Sequence, residues 1–143
     1  MRNSLLFFLF TIIAGFAILS SCSEEEVKFK RYYADGLEVY KLHCQSCHMQ
    51  DGTGLPGVIP PLTDTTFLSK NRKQLACIVK YGLDDTIYVH GQMYNTAMPA
   101  ESHLTAIEIA KVLTYITNTF GNNQGIYDVV ETEQYINNMC GSK

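Results

Sequence analysis

The chain has no tryptophan, no internal repeat and no surplus of basic charge. Without tryptophan, no indole N–H is available to hold a ligand. Without a repeat, nothing indicates an array of stacked units. Its 143 residues carry 11 basic and 14 acidic side chains, a formal charge of −3. This mild acidity lacks the electrostatic footprint of a nucleic-acid binder, so no nucleic-acid partner is expected. An apolar run long enough to span a bilayer is missing too. The mostly apolar stretch from Leu5 to Leu19 covers about 15 residues, against the roughly 20 that a spanning helix needs.

That short run follows Met1-Arg2-Asn3 and reads as the apolar core of a secretory signal. It ends Leu19-Ser20-Ser21-Cys22, which resembles a bacterial lipobox, with cleavage before Cys22 and lipid on its sulfur. An uncleaved short anchor, or an ordinary signal peptide with an incidental cysteine, are the competing readings. The small residues at 20 and 21 favour the lipoprotein. In every case the body is exported. Removal of residues 1–21 leaves 10 basic and 14 acidic residues, a formal charge of −4. From Ser23 to Arg31 there is no apolar periodicity, so residues 22–31 are expected to be a linker reaching at most about 32 Å when extended. Such a tether keeps the domain close to its membrane, facing the periplasm. The Glu24-Glu25-Glu26 run also resembles an acidic tag for the cell surface.

The densest chemistry lies in Cys44-Gln45-Ser46-Cys47-His48. Two cysteines three apart, with a histidine directly after the second, form the attachment signature of a c-type haem. One helical turn separates the sulfurs, so both can reach the vinyl groups along one porphyrin edge, and His48 can bind iron from the proximal side. A zinc knuckle half or a redox pair are the plainer readings of CxxC. Tyr33, Leu37, Tyr40, Cys44 and Cys47 follow 4-3-4-3 spacing on one helical face, which points the cysteines toward the core. Gly36, one turn before Tyr40, leaves room for a second helix to approach.

After His48, the glycine- and proline-rich stretch from Asp51 to Leu62 is expected to be an irregular loop. A ligating histidine needs its other ring nitrogen held by an acceptor, and the Pro60 carbonyl is the choice from this loop. A helix is expected from an Asn71 cap to Tyr81, stopped by Gly82, with Leu75, Ile78 and Val79 buried. Thr86–Val89 and Gln92–Tyr94 suggest a small hairpin around His90-Gly91. Thr105 and Glu108 form a capping box for a last long helix ending at Gly121. For the sixth iron ligand, Met49 is too close to His48 and Met139 lies in the tail. Of the remaining Met93 and Met98, Met98 is favoured because Pro99 stiffens the loop that presents it. A thioether opposite imidazole raises the reduction potential and fills the last iron position.

Together these motifs resemble a class I monohaem cytochrome c. The likeness rests on Gly36-x-x-x-Tyr40, the CxxCH run, Asp51-Gly52-x-Gly54 and Pro60-Pro61-Leu62. Tyr94-Asn95-x-x-Met98-Pro99, Ile109-Ala110 and Leu113-Thr114-Tyr115-Ile116 extend it over roughly Tyr33 to Asn122. The resemblance implies a mostly α cytochrome c fold, with three main helices and loops wrapped around one covalent haem c, over residues 32–121. It implies crossing of the first and last helices at Gly36 and near Tyr115, and His48/Met98 axial ligation backed by Pro60. Tyr94 or Asn95 would help orient the methionine sulfur. The activity it implies is single-electron transfer, without catalysis, between a donor complex and a terminal oxidase or reductase. Any propionate contact that relatives make through tryptophan must be made otherwise here.

Residues 122–143 form a C-terminal extension with a short helix expected over Thr132–Met139. In an exported chain the two remaining cysteines, Cys77 and Cys140, suggest a disulfide; a buried free Cys77 with a mobile Cys140 is the other reading. His43 is expected at the surface, His90 in a turn and His103 in the approach to the last helix. Either of the latter two could replace methionine as a distal ligand of lower potential, but methionine is preferred. Arg72 and Lys73 are either propionate contacts or solvated charges. Two further classes compete with the carrier. One is a small haem enzyme or gas-binding sensor with an open distal site. The other is a structural zinc module built on Cys44 and Cys47.

Overall fold

The computed structural model describes residues 23–140, so the expected signal peptide and the lipid on Cys22 lie outside the described residues. Among the described residues, six helices and one two-stranded hairpin give the mostly α fold expected. No described helix is long and apolar enough to cross a membrane.

Helix α1 runs Glu24–His43, so the segment expected as a linker is helical from Glu24 onward. The Ser23 hydroxyl accepts the Glu26 N–H at 3.2 Å and caps the helix. Glu24, Glu25 and Glu26 then occupy the first turn, where carboxylates complement the positive end of the helix dipole. Lys30 pairs with Glu26 one turn earlier at 2.6 Å, and Lys28 pairs with Asp128 from the tail. Residues 24–31 therefore rise about 12 Å rather than trailing as coil.

The core forms where α1 crosses α5, Ala106–Ile116. A Cβ at Gly36 would stand 2.0 Å from the Lys111 carbonyl oxygen and 2.9 Å from Tyr115 Cβ, so only glycine permits this approach. Around the crossing Tyr33 and Tyr40 pack on Tyr115 with ring centroids 5.2 and 5.3 Å apart, and Phe120 closes on Tyr40 at 5.6 Å. The capping box starts α5 as expected: Thr105 accepts from the Glu108 N–H, and Glu108 accepts the Thr105 N–H at 2.8 Å. The helix ends earlier than expected, at Ile116 rather than near Gly121. Thr117 and Thr119 return their hydroxyls to the carbonyls of Leu113 and Tyr115, at 2.7 and 2.6 Å, as the chain leaves the helix.

Between these helices lie α2, Gln45–His48; α3, Thr65–Lys70; and α4, Arg72–Tyr81. Helix α4 has the expected bounds, with Gly82 at its C-terminus in a left-handed conformation. The Asn71 side chain does not cap it, however, and donates instead to the Phe67 carbonyl at 2.8 Å. Helix α3 was not expected; Asp64 caps it by accepting from Thr66 and Phe67 N–H at 2.9 and 3.1 Å. The hairpin pairs β1, Ile87–Val89, with β2, Gln92–Tyr94, in the register Ile87–Tyr94, Tyr88–Met93 and Val89–Gln92.

The tail folds back as α6, Val129–Met139, longer than expected at its start because Asp128 caps it through the Val130 N–H at 2.8 Å. Cys77 on α4 and Cys140 after α6 form a disulfide in the structure. Arg72 is engaged by the tail rather than left as a solvated charge. It donates to the Ile126 carbonyl at 2.9 Å, lies over the Tyr127 ring at 4.0 Å and meets Glu131 at 3.6 Å. The Tyr127 hydroxyl returns a hydrogen bond to the Arg72 carbonyl.

Candidate functional site

The CxxCH run sits where α1 breaks. Cys44 still donates its N–H to the Tyr40 carbonyl at 2.9 Å, but its φ of −117° turns the chain into α2. The expected single stripe is therefore interrupted: Cys44 is half-buried against the core and Cys47 is exposed. Both line one cavity of about 300 Å³. Its walls are largely apolar, with Leu68, Leu75 and Val79 from α3 and α4, and Leu113 and Ile116 from α5.

His48 is buried and lines the same cavity. Its Nδ1 lies 3.1 Å from the Pro60 carbonyl oxygen, which fixes the ring and leaves Nε2 as the nitrogen for a ligand. Burial lowers the imidazole's proton affinity, and the Pro60 bond opposes this without cancelling it. The ring is thus kept neutral, the form that binds metals. The loop bearing Pro60 is pinned to the motif, since Gly54 N–H donates to the His48 carbonyl at 3.2 Å and Leu62 N–H to Gly52 at 2.7 Å. Behind it the buried Tyr40 hydroxyl donates to the Met49 carbonyl at 2.6 Å.

Met98 also lines the cavity. Its N–H donates to the Leu83 carbonyl at 2.8 Å and its carbonyl accepts from Leu83 N–H at 3.1 Å, an isolated antiparallel bridge. Gly82 makes that bridge possible, because a Cβ there would stand 2.5 Å from the Met98 carbonyl. The other described methionines point away: Met93 is 52% exposed on β2, and Met49 and Met139 are exposed. Tyr94 is buried and lines a smaller adjoining cavity of about 60 Å³ with Met98, whereas Asn95 is exposed.

The remaining histidines divide. His90 is exposed in the hairpin turn, where its backbone N–H donates to Asp64 Oδ2 at 2.8 Å. His103 is exposed too, and neither it nor His90 lines the large cavity. His43 departs from the expected surface position, since it is half-buried and lines the large cavity beside Cys44. Nothing in its i-to-i+1 relation to the motif signals this; its neighbour Glu101 comes from a segment 58 residues away.

As a free thiol Cys44 is pushed up to about 12, chiefly by burial and further by the nearby Glu101 and Cys47 charges. Reactive and metal-binding cysteines need the opposite shift, toward thiolate. Among the described residues, the one group of three or more His, Cys, Asp or Glu donors close enough to share a metal includes neither Cys44 nor Cys47. The zinc-module reading therefore has no geometric support among the described residues. A neutral imidazole and a thioether on one apolar cavity, with two thiols at its edge, make up the donor set of a c-type haem, and these residues fit that group.

Comparison with known proteins agrees with this geometry. Residues 32–116 match the family described as cytochrome C oxidase, cbb3-type, subunit III. Cytochrome c-552 of Thermus thermophilus is 39% identical over 93 residues, covering 62% of this chain and 70% of that protein. The cytochrome c subunit of a quinone alcohol dehydrogenase from Gluconobacter oxydans is 35% identical over 92 residues. The fructose dehydrogenase cytochrome subunit of Gluconobacter japonicus is 34% identical over 94 residues. The match spans only 19% of each of these two subunits. The matched span holds the buried histidine, its proline acceptor, both motif cysteines and the cavity-lining methionine, and the chain belongs to the cytochrome c family.

Proposed function

We propose that the chain is a single-electron carrier built on one covalent haem c, with His48 and Met98 as the axial ligands. The observation that carries the reading is the shared apolar cavity of His48 and Met98, with His48 already held by Pro60 and Met98 by Leu83. When bound, haem c supplies reversible one-electron chemistry at its iron. Cys44 and Cys47 would anchor the group through thioethers. The Pro60 carbonyl holds the His48 ring in one tautomer and orientation. Leucine, valine and isoleucine side chains exclude water from the cavity, and Met98 would keep small ligands off the sixth position. A single CxxCH run supports one haem per chain.

In this reading the chain is exported and held at a membrane by lipid on Cys22, in the periplasm or at the cell surface. Its partners are a donor complex and a terminal oxidase or reductase. The likeness to two dehydrogenase cytochrome subunits supports a dehydrogenase as one such donor.

Spectra of the purified mature protein, oxidised and reduced, test the proposal. The expected result is a pigment that survives acid–acetone extraction and a methionine–iron charge-transfer band that Met98→Ala abolishes. Colourless protein overturns the cofactor. Equal carbon monoxide binding by wild type and Met98→Ala overturns the filled sixth position and favours the enzyme or gas-sensor class instead.

A further inference from the structure

We propose that His43, Glu101 and His103 form a second metal site, for a borderline divalent transition ion of the zinc class, at the rim of the haem cavity. His43 Nδ1 and His103 Nε2 approach the same carboxylate oxygen, Glu101 Oε2, at 3.4 and 3.5 Å. All three donor atoms lie within 4.8 Å of one another. Metal bonds of about 2.0–2.2 Å place two donors of a tetrahedral ion about 3.3–3.6 Å apart, so two edges already have the bonded spacing. A charge-assisted N–H···O bond would be about 2.7–2.9 Å long, shorter than either separation. The third edge, nitrogen to nitrogen, is the one to be adjusted on binding, and the His103 side chain, 62% exposed, has room to do so.

The site is supported by fixed elements. His43 is the last residue of α1, and its ring lies 4.9 Å from that of His103. Glu101 donates its N–H to the Val79 carbonyl of α4 at 2.9 Å. The Lys80 ammonium holds the following loop through the carbonyls of Ser102 and Leu104, at 2.6 and 2.8 Å. The His43 and Glu101 side chains are 27% and 22% exposed, so two ligands are largely shielded while the third admits the ion from solvent. Two imidazole nitrogens and one carboxylate suit zinc or copper(II); magnesium and calcium prefer oxygen throughout. Three protein ligands leave a fourth position for water. His43 precedes Cys44 and Glu101 follows Met98 by three residues, so an ion bound here ties the two segments that flank the cavity.

Titration of the tag-free, chelator-washed holoprotein with zinc, in competition with a chromophoric chelator, tests the site. One zinc per chain is expected, with affinity falling at least about tenfold in His103→Ala and in Glu101→Gln and unchanged in His90→Ala. His103 is exposed enough for its substitution to leave the fold intact. Failure of the wild type to take up zinc, or equal affinity in wild type and His103→Ala, overturns the proposal. The readout is zinc stoichiometry and affinity, so it stands apart from the question of which side chains bind the haem iron.

Discussion

At the scale of single residues, the most sensitive position in the fold is Gly36. Its missing Cβ lets the Lys111 carbonyl approach to a distance that no side chain tolerates, and the obstacle is backbone, which cannot rotate aside. Gly36→Ala is expected to cost at least about 3 kcal/mol, the upper end of ordinary overpacking, because α1 and α5 must separate. Chemical denaturation of the holoprotein checks this; a loss under about 1 kcal/mol would show that the crossing yields easily. The residue-level chemistry was also the most legible part of the sequence. His48, Pro60 and Met98 each stand in a short motif, and the structure places all three around one cavity. His43 was illegible because its burial depends on Glu101, which is close in space and remote in the chain.

At the scale of elements, local signals found what local forces hold. The Thr105–Glu108 capping box, the Asn71-to-Gly82 helix and the hairpin around His90-Gly91 are fixed by neighbours within a few residues, and they form where expected. Helix α3 is six residues long, too short for its apolar pair Phe67-Leu68 to show a helical period. Its cap, Asp64, also reaches 26 residues ahead to the His90 N–H and so joins α3 to the hairpin. Burial opposes the ionised Asp64 carboxyl, but hydrogen bonds from the His90, Phe67 and Thr66 amides outweigh it and lower the pKa. A lowered folded value means this stabilisation is complete above the unfolded pKa of about 3.9 and is lost as pH falls through the folded value. Asp64→Asn should cost about 1–2 kcal/mol near neutral pH, from the weakened cap and the His90 amide. The difference from wild type should shrink as pH falls below about 4, where the unfolded wild type takes up a proton that the folded Asp64 resists, and vanish once the folded carboxyl is protonated too. Thermal melts of both proteins from pH 7 to pH 3 measure it; a constant difference would assign Asp64 no electrostatic role.

At the scale of the whole molecule, the tail completes the domain. Arg72, Tyr127 and the Cys77–Cys140 bond join α6 to α4, whose Leu75 and Val79 wall the cavity. The start of α1 is tied to the same tail through Lys28 and Asp128, 100 residues apart. That separation explains why residues 24–31 read as a linker: their helix has no apolar stripe of its own. The disulfide closes a loop with a sequence separation of 63, which the chain-entropy estimate values at about 4 kcal/mol. Cys77→Ser with Cys140→Ser should lose stability of that order in urea while keeping the haem spectrum. Unchanged stability would mean that Arg72 and Tyr127 alone hold the tail.

The paired backbone of Met98 and Leu83 bears on how a ligand could detach. Both main-chain groups of Met98 stay satisfied whether or not its sulfur is engaged. If Met98 is the ligand, as proposed, its release would need the metal–sulfur bond to break and the side chain to rotate, without the slower opening of a loop. In the proposed haem site a sulfur that lets go would stay on the same cavity wall, its backbone still paired with Leu83 and positioned for recapture.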